Sequence, residues 1–222
     1  MNPDPAPSRR LDRLLALSPL ALVALCVATQ GLAGLFIGVW AWVPTMLVFW
    51  LAIILLLRHE GLEHSRRRFG PAAGSRLNAG FWSTLAVLVG LLSLPGFLRH
   101  AGLLDSTSLV LAWLVFALVN PWFEEAYWRG LLMDRSRAWG WWQSLLWSSA
   151  GFALSHPQIW GIHSLPLRKP EALAALFFVG LVWGLAYQRT HSLRWCVLGH
   201  LLANALGLSA LVLLNLVDPT QH

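Results

Sequence analysis

Long stretches without a charged residue alternate with short charged segments along this chain. No Asp, Glu, Lys or Arg occurs between Arg13 and Arg58, a length roughly twice the ~20 apolar residues that one membrane-spanning helix needs. This stretch predicts a hairpin of two spans. Five further charge-free windows each predict one more span: residues 77–98, 106–123, 138–167, 172–188 and 195–217. The pattern therefore predicts an all-α, polytopic transmembrane helix bundle of about seven spans, with eight as the alternative.

The same pattern divides the chain into one domain and two short ends. Residues 1–13 begin with a Pro-rich segment that has no means of burying a core, which predicts a disordered N-terminus on the cytoplasmic side. Residues 14–217 predict a single membrane-embedded helical domain. The polar motifs described below lie in the core of this domain, from about residue 107 to residue 217. Residues 218–222 form a short C-terminal tail.

Composition supports the membrane class. Hydrophobic residues make up 57% of the chain and charged residues only 12%, and the mean hydropathy is +0.59, which excludes an ordinary soluble domain. The partner that this composition implies is the lipid bilayer. Nothing in the sequence indicates an oligomeric state.

The formal charge of +6 does not indicate nucleic-acid binding, because the basic residues follow a membrane-topology pattern. With the N-terminus inside, the predicted inner loops hold most of them: Arg58, Arg66, Arg67, Arg68, Arg76, Arg135, Arg137, Arg189 and Arg194. Only Arg99, Arg168 and Lys169 fall outside. We therefore expect an integral protein of a bacterial plasma membrane with a cytoplasmic N-terminus. With seven spans the C-terminus lies outside, whereas with eight spans it lies inside.

Three ionisable residues, Glu124, Glu125 and Arg129, stand at the end of a charge-free window. Ionisable groups next to hydrocarbon are costly and usually functional. Glu125 and Arg129 are four residues apart and share a helix face, so we expect Arg129 to neutralise Glu125 in a supporting role. Glu124 points about a third of a turn away, which leaves it free for solvent or substrate.

The dipeptide Asn120–Pro121 directly precedes these charges. Proline removes a helical hydrogen bond and crowds the preceding turn. The dipeptide therefore predicts a break in the helix that frees backbone carbonyls and lets water reach the glutamates.

Two later apolar windows carry polar groups suited to hydrolytic chemistry: His156 in one, and His200 with Asn204 in the other. At ~1.5 Å per residue, Glu124 and His156 lie about 21 Å and about 24 Å from the turn between their helices. His200 and Asn204 lie about 14 Å and about 20 Å from theirs. The groups thus fall at a similar depth. Each also has a structural interpretation, as a charge cluster, a core histidine or an asparagine that links helices.

Three motifs, in this order, resemble those of the CPBP intramembrane endopeptidases, which include type II CAAX prenyl endopeptidases and abortive-infection-type membrane proteins. They are Glu-Glu-Ala-Tyr-Trp-Arg-Gly at 124–130, Phe-Ala-Leu-Ser-His at 152–156 and His-Leu-Leu-Ala-Asn at 200–204. The resemblance covers about residues 120–207. It implies hydrolysis of a peptide bond, in which Glu124 and His156 activate a water while His200 and Asn204 form an oxyanion hole.

Other functions remain open at this stage. Glu124, His156 and His200 have the ligand types of a catalytic zinc site, but no His-Glu-x-x-His motif occurs, so we expect no cofactor. The substrate is expected to be a membrane-associated or lipidated protein, and no residue indicates a prenyl group. A non-catalytic scaffold or bacteriocin-immunity-type protein is the main alternative. A proton-coupled transporter is a weaker one, because inverted repeats are not evident.

Overall fold

The computed structural model describes residues 9–160 and 165–208, and within them the chain forms α-helices, short 3₁₀ turns and one π-helix, with no β-strand. This confirms the all-α prediction. The α-helices are α1 Arg9–Ala16, α2 Ser18–Ile37, α3 Trp42–Glu60, α4 Leu62–Arg67, α5 Arg76–Gly90, α6 Leu94–His100, α7 Thr107–Glu125, α8 Met133–Ser136, α9 Trp141–Ile159, α10 Pro170–Thr190 and α11 Arg194–Leu206. The predicted C-terminal tail and the first eight residues lie outside the described residues.

Helix α1 begins inside the segment that the sequence predicts to be disordered. Two local contacts account for its order. Asp12 forms an ion pair with Arg135, with 3.1 Å between Oδ1 and Nη1. Leu15 and Ala16 at the end of the helix are buried, and the carbonyl of Ala16 accepts a hydrogen bond from the indole of Trp147 at 2.8 Å. The helix is therefore held against the bundle by charge and by apolar packing.

Four stretches of the described chain are long and apolar enough to cross a membrane: Ser18–Glu60, Arg76–Leu103, Thr107–Trp139 and Pro170–Thr190. The first holds both α2 and α3, which turn at Gly38 with a φ of +56° and pack against each other. Helices α9 and α11 are not among these stretches, because α9 carries four serines and α11 has 13 described residues. The predicted count of seven or eight spans is therefore not confirmed.

Local sequence signals set the ends of the helices that carry the site. Ser106 caps α7 by accepting a hydrogen bond from the backbone N–H of Leu109 at 3.4 Å. Pro170 starts α10, where a missing N–H costs nothing. The same helix ends at His191, whose φ of +50° lies in the left-handed region.

Helices α5, α10 and α11 meet where two glycines, Gly90 and Gly199, let the backbones of α5 and α11 touch. A Cβ on Gly90 would collide with the backbone of Gly199, and a Cβ on Gly199 would collide with the carbonyl of Ala86. The indole of Trp183 donates a hydrogen bond to that same carbonyl at 2.9 Å. Small residues that allow backbones to approach are typical of helix packing in membranes. This contact fixes the height of α11, on which His200 directly follows Gly199.

A buried ionic cluster joins α3, α4 and α8 at one end of the bundle. Arg68 is 4% exposed and contacts two carboxylates, that of Glu60 and that of Asp134, the latter at 2.9 Å. Arg135 adds a second contact to Glu60 at 3.2 Å. Burial by itself lowers the pKa of the Arg68 guanidinium, but the hydrogen bond to Glu60 and the charge of Asp134 raise the pKa overall. Arg68 therefore stays charged and neutralises the buried Glu60.

Candidate active site

The helix that carries the paired glutamates is continuous through Pro121. Helix α7 runs from Thr107 to Glu125 with the proline inside it, so the predicted break at Asn120–Pro121 is wrong. The irregularity comes later, as a π-helix over Ala126–Leu132 in which every residue is buried. Wider π turns of this kind often occur at functional sites. Both glutamates thus lie on the last turn before the backbone widens.

Glu125 bridges two cationic or ionisable partners inside the bundle. Its Oε1 lies 3.1 Å from Nη1 of Arg129 and 2.8 Å from Nδ1 of His200. All three residues are at most 3% exposed. The guanidinium of Arg129 also lies over the ring of Phe152, with Cζ 4.1 Å from its centroid. These partners neutralise the buried carboxylate of Glu125, as expected of a residue that stabilises the fold.

His200 is held in one orientation from two sides. Its ring stacks on the indole of Trp183, with the centroids 4.7 Å apart and the planes at 22°. An ionised carboxylate can only accept a hydrogen bond, so Nδ1 of His200 donates to Glu125. The opposite nitrogen, Nε2, then faces Glu124, whose Oε2 lies 3.8 Å away. That separation is longer than a hydrogen bond.

Glu124 differs from its neighbour because its hydrogen-bond donors are neutral. Oε1 accepts a hydrogen bond from Nδ2 of Asn120 at 3.0 Å and one from Nε1 of Trp160 at 3.3 Å. Oε2 is buried and, like Oε2 of Glu125, has no hydrogen-bond partner among the described residues. A buried carboxylate oxygen without a donor is rare and needs an explanation. Glu124 is 1% exposed, so water in bulk does not supply that donor.

His156 is also fixed by one ring nitrogen. Its Nδ1 lies 2.6 Å from the backbone oxygen of Phe152, one turn earlier on α9, and because a carbonyl only accepts, Nδ1 is the donor. In the neutral ring this leaves the lone pair of Nε2 available as an acceptor. The charged groups near enough to influence His156 are Glu124, His200 and Arg129.

The structure brings five of the six sequence-predicted residues into one cluster through these contacts and charges: Glu124, Glu125, Arg129, His156 and His200. Asn204 is partly buried and lies one turn beyond His200 on α11, on the same helix face.

A resident metal ion does not fit the residues as they are placed. In the described ranges, no three His, Cys, Asp or Glu side chains are arranged to hold one. Nδ1 of His200 is bound to Glu125 and Nδ1 of His156 to a backbone carbonyl, so only Nε2 of each ring could be a ligand. We therefore derive no step through a metal at this site.

Two tryptophans in contact with the site were not predicted from the sequence. Trp160 donates to Glu124, and Trp183 carries the stacked ring of His200. The chain has 14 tryptophans, and a membrane-interface belt explains many of them, so no local signal separates these two. By contrast, Trp139, Trp141 and Trp142, between α8 and the start of α9, are 40–52% exposed, which agrees with such a belt.

Comparison with known protein families gives a match over the segment that holds this cluster. Residues 106–206 match the model of the family described as type II CAAX prenyl endopeptidase Rce1-like. The matched segment runs from α7 to α11 and contains all six candidate residues. No curated protein and no solved structure matches the chain.

Proteins of this family are membrane-embedded CAAX endopeptidases, which are hydrolases that act on peptide bonds. The match confirms the resemblance that the three motifs indicate. The segment that holds the site, residues 106–206, is therefore similar to the type II CAAX prenyl endopeptidase Rce1-like family of membrane-embedded proteases.

Proposed function

We propose that this protein is an intramembrane endopeptidase that hydrolyses a peptide bond of a membrane-associated or lipidated protein, with Glu124 as general base. The observation that carries the proposal is the asymmetry of the two adjacent glutamates. Oε1 of Glu125 is bound to Arg129 and His200, whereas Oε1 of Glu124 accepts hydrogen bonds from two neutral donors, Asn120 and Trp160. A carboxylate that is not paired with a guanidinium can take a proton from a water.

In the proposed first step, a water lies between Oε2 of Glu124 and Nε2 of His156. Glu124 removes one proton as the water oxygen attacks the carbonyl carbon, and His156 accepts a hydrogen bond from the remaining O–H. This use of His156 is consistent with its Nδ1–H donating to the Phe152 carbonyl, because the lone pair then lies on Nε2. The carbonyl oxygen becomes an oxyanion.

His200 and Asn204 stabilise that oxyanion in the proposal. A histidine whose Nδ1–H already binds Glu125 can donate through Nε2 only if that nitrogen also carries a proton. The resulting positive charge balances the site, because two carboxylates then face two cations, Arg129 and His200. Donors that are oriented before the charge develops give the largest stabilisation in a site without bulk water.

In the last step, Glu124 returns its proton to the nitrogen of the leaving peptide as the C–N bond breaks. The products are a new carboxylate terminus and a new amino terminus. The same group thus acts first as base and then as acid, and the proton count closes without a metal or another cofactor. The N-terminus is proposed to lie on the cytoplasmic side of the membrane.

The proposal is tested by comparing protein N-termini in membranes from cells that express the wild type, Glu124→Gln or Glu171→Gln at equal levels. Glu171 is an exposed glutamate at the start of α10 and serves as a matched control. We expect a set of N-termini that is present with the wild type and the control and absent with Glu124→Gln. Identical N-termini in all three, with each protein folded, would favour the scaffold and contradict the proposal.

A further inference from the structure

We infer that Asn120, Trp50 and Trp160 are positioning residues for Glu124: Asn120 and Trp160 bind one oxygen of its carboxylate, Trp50 orients Asn120, and the other oxygen faces the substrate. Through Trp50, helix α3 becomes part of the active site although it lies outside the family-matched segment 106–206. This inference rests on the proposed function, because it assigns a task to the groups around the proposed base.

The first contact is the hydrogen bond from Nδ2 of Asn120 to Oε1 of Glu124, at 3.0 Å. Asn120 lies one turn before Glu124 on α7 and is 1% exposed. An amide can also present its oxygen, and that orientation would set two acceptors against each other. Something must therefore fix which end of the Asn120 amide faces the carboxylate.

Trp50 supplies that constraint from another helix. Its Nε1 donates to Oδ1 of Asn120 at 2.9 Å, and an indole N–H can only donate. The oxygen of Asn120 is thereby directed to α3 and its NH₂ group to Glu124. The ring of Trp50 is itself held by stacking on Phe123, with centroids 5.4 Å apart and planes at 25°.

Trp160 approaches the same carboxylate oxygen from the end of α9. Its Nε1 lies 3.3 Å from Oε1 of Glu124, and the side chain is 1% exposed. The ring packs edge to face between Phe49 and Phe116, with centroid distances of 5.3 and 5.4 Å. A rigid aromatic cluster therefore fixes the direction of this second donor.

Two donors on one oxygen decide how the carboxylate rotates. The terminal torsion of a glutamate is broad, so a carboxylate without such donors samples many orientations. With Oε1 bound twice, Oε2 is the oxygen left toward Nε2 of His200, at 3.8 Å. The tryptophans and the asparagine thus select the reacting oxygen without touching the substrate.

The test uses purified protein in lipid vesicles and a peptide that spans a bond cleaved in a Glu124-dependent manner. We compare kcat and KM for the wild type, Asn120→Ala, Trp160→Phe and Trp50→Phe. Trp147→Phe is the matched control, since its indole also donates a partly buried hydrogen bond from α9, but to the Ala16 carbonyl. Every rate is expressed per folded molecule.

We expect kcat to fall by about 10- to 100-fold for Asn120→Ala, because a displacement of about 1 Å in a reacting group has effects of that order. Trp160→Phe and Trp50→Phe should lower kcat less, and KM should stay unchanged in all three. Trp147→Phe should match the wild type in kcat. A purely structural role would lower the yield of folded protein and leave kcat per folded molecule unchanged.

Glu124→Gln, measured in parallel, distinguishes a failure of the positioning inference from a failure of the proposed function. If Glu124→Gln is inactive while Asn120→Ala and Trp160→Phe keep the kcat of Trp147→Phe, the positioning inference is wrong and the proposed function stands. If Glu124→Gln is active, or no Glu124-dependent cleavage exists, both fall. Should Asn120→Ala fail to fold, Trp50→Phe decides, because it removes only the constraint on the amide.

Discussion

At the scale of single residues, Glu124 and Glu125 show how neighbouring carboxylates acquire different tasks. Glu125 has a guanidinium and an imidazole as partners, so its charge is balanced within the protein. Glu124 accepts its hydrogen bonds from an amide and an indole, and Nε2 of His200 lies beyond hydrogen-bond distance from it, at 3.8 Å. Its charge therefore stays available for proton transfer. The identity of the donors, rather than burial, separates the two, since both residues are fully buried.

The role of His156 is tested by His156→Asn. An asparagine amide can replace the Nδ1–H that donates to the Phe152 carbonyl, but it provides no basic nitrogen. We expect kcat to fall by about 10²- to 10⁴-fold, the usual contribution of a positioned acid–base group, with KM and folded yield unchanged. A kcat equal to that of the wild type in the vesicle assay would remove His156 from the mechanism.

Contacts within one helix could be predicted from the sequence, whereas those between helices could not. The four-residue spacing of Glu125 and Arg129 predicts their pairing, because such residues lie on one face. The bond between Trp50 and Asn120 joins residues 70 positions apart. It depends on how α3 packs against α7, which no local pattern in the sequence encodes. The roles assigned to the six candidate residues remain predictions.

At the scale of elements, the height and spacing of helices decide whether His200 reaches the glutamates. The glycines at α5 and α11 allow the two backbones to touch, and Trp183 of α10 binds at the same point. His200 follows directly, stacked on that tryptophan. The packing of three helices thus sets the position of one catalytic candidate.

Gly199→Ala tests this arrangement. The added Cβ would collide with the Ala86 carbonyl and approach Nε1 of Trp183 to 2.9 Å, so α11 must move away from α5. Overpacking of this kind costs about 1–3 kcal/mol. We expect a lower melting temperature in detergent and a large loss of kcat. The control is Gly80→Ala on α5, where a Cβ meets nothing within 4 Å. Equal activity of the two variants would contradict the account.

The backbone of helix α7 shows where the rule that proline breaks a helix failed. Proline removes one N–H and disfavours the preceding turn, which predicts a break at Pro121. In the folded chain α7 continues to Glu125 and the backbone widens only at Ala126–Leu132. That segment contains no Pro and only one Gly, so the π-helix results from tertiary packing around its fully buried residues.

At the scale of the whole molecule, the buried ionic cluster at one end joins the N-terminal helices to the family-matched segment. Arg68 follows α4, Glu60 ends α3 and Asp134 lies on α8. Hydrocarbon cannot compensate these charges, so each depends on the others. The apolar windows predict the helices themselves. The ionic cluster, however, depends on three segments of the chain that meet only in the folded protein.

Arg68→Ala is expected to destabilise the protein without touching the site. It leaves Glu60, whose side chain is fully buried, with Arg135 as its remaining ion-pair partner among the described residues, and removing one member of a buried pair costs about 3–5 kcal/mol. The melting temperature in detergent should fall clearly, while kcat per folded molecule stays unchanged. Arg67→Ala, which alters an exposed neighbour, is the control. Equal melting temperatures for both variants would show that the cluster does not stabilise the fold.

The central claim is that Glu124 activates water for peptide hydrolysis without a metal. The most direct test measures cleavage of a peptide substrate by purified wild type and Glu124→Gln in lipid vesicles, each with and without a chelator. The account predicts that the wild type keeps its rate with the chelator and that Glu124→Gln loses at least about 10²-fold in kcat under both conditions. A Glu124→Gln protein that cleaves at the wild-type rate, or a wild type that needs added zinc after chelation, would contradict it.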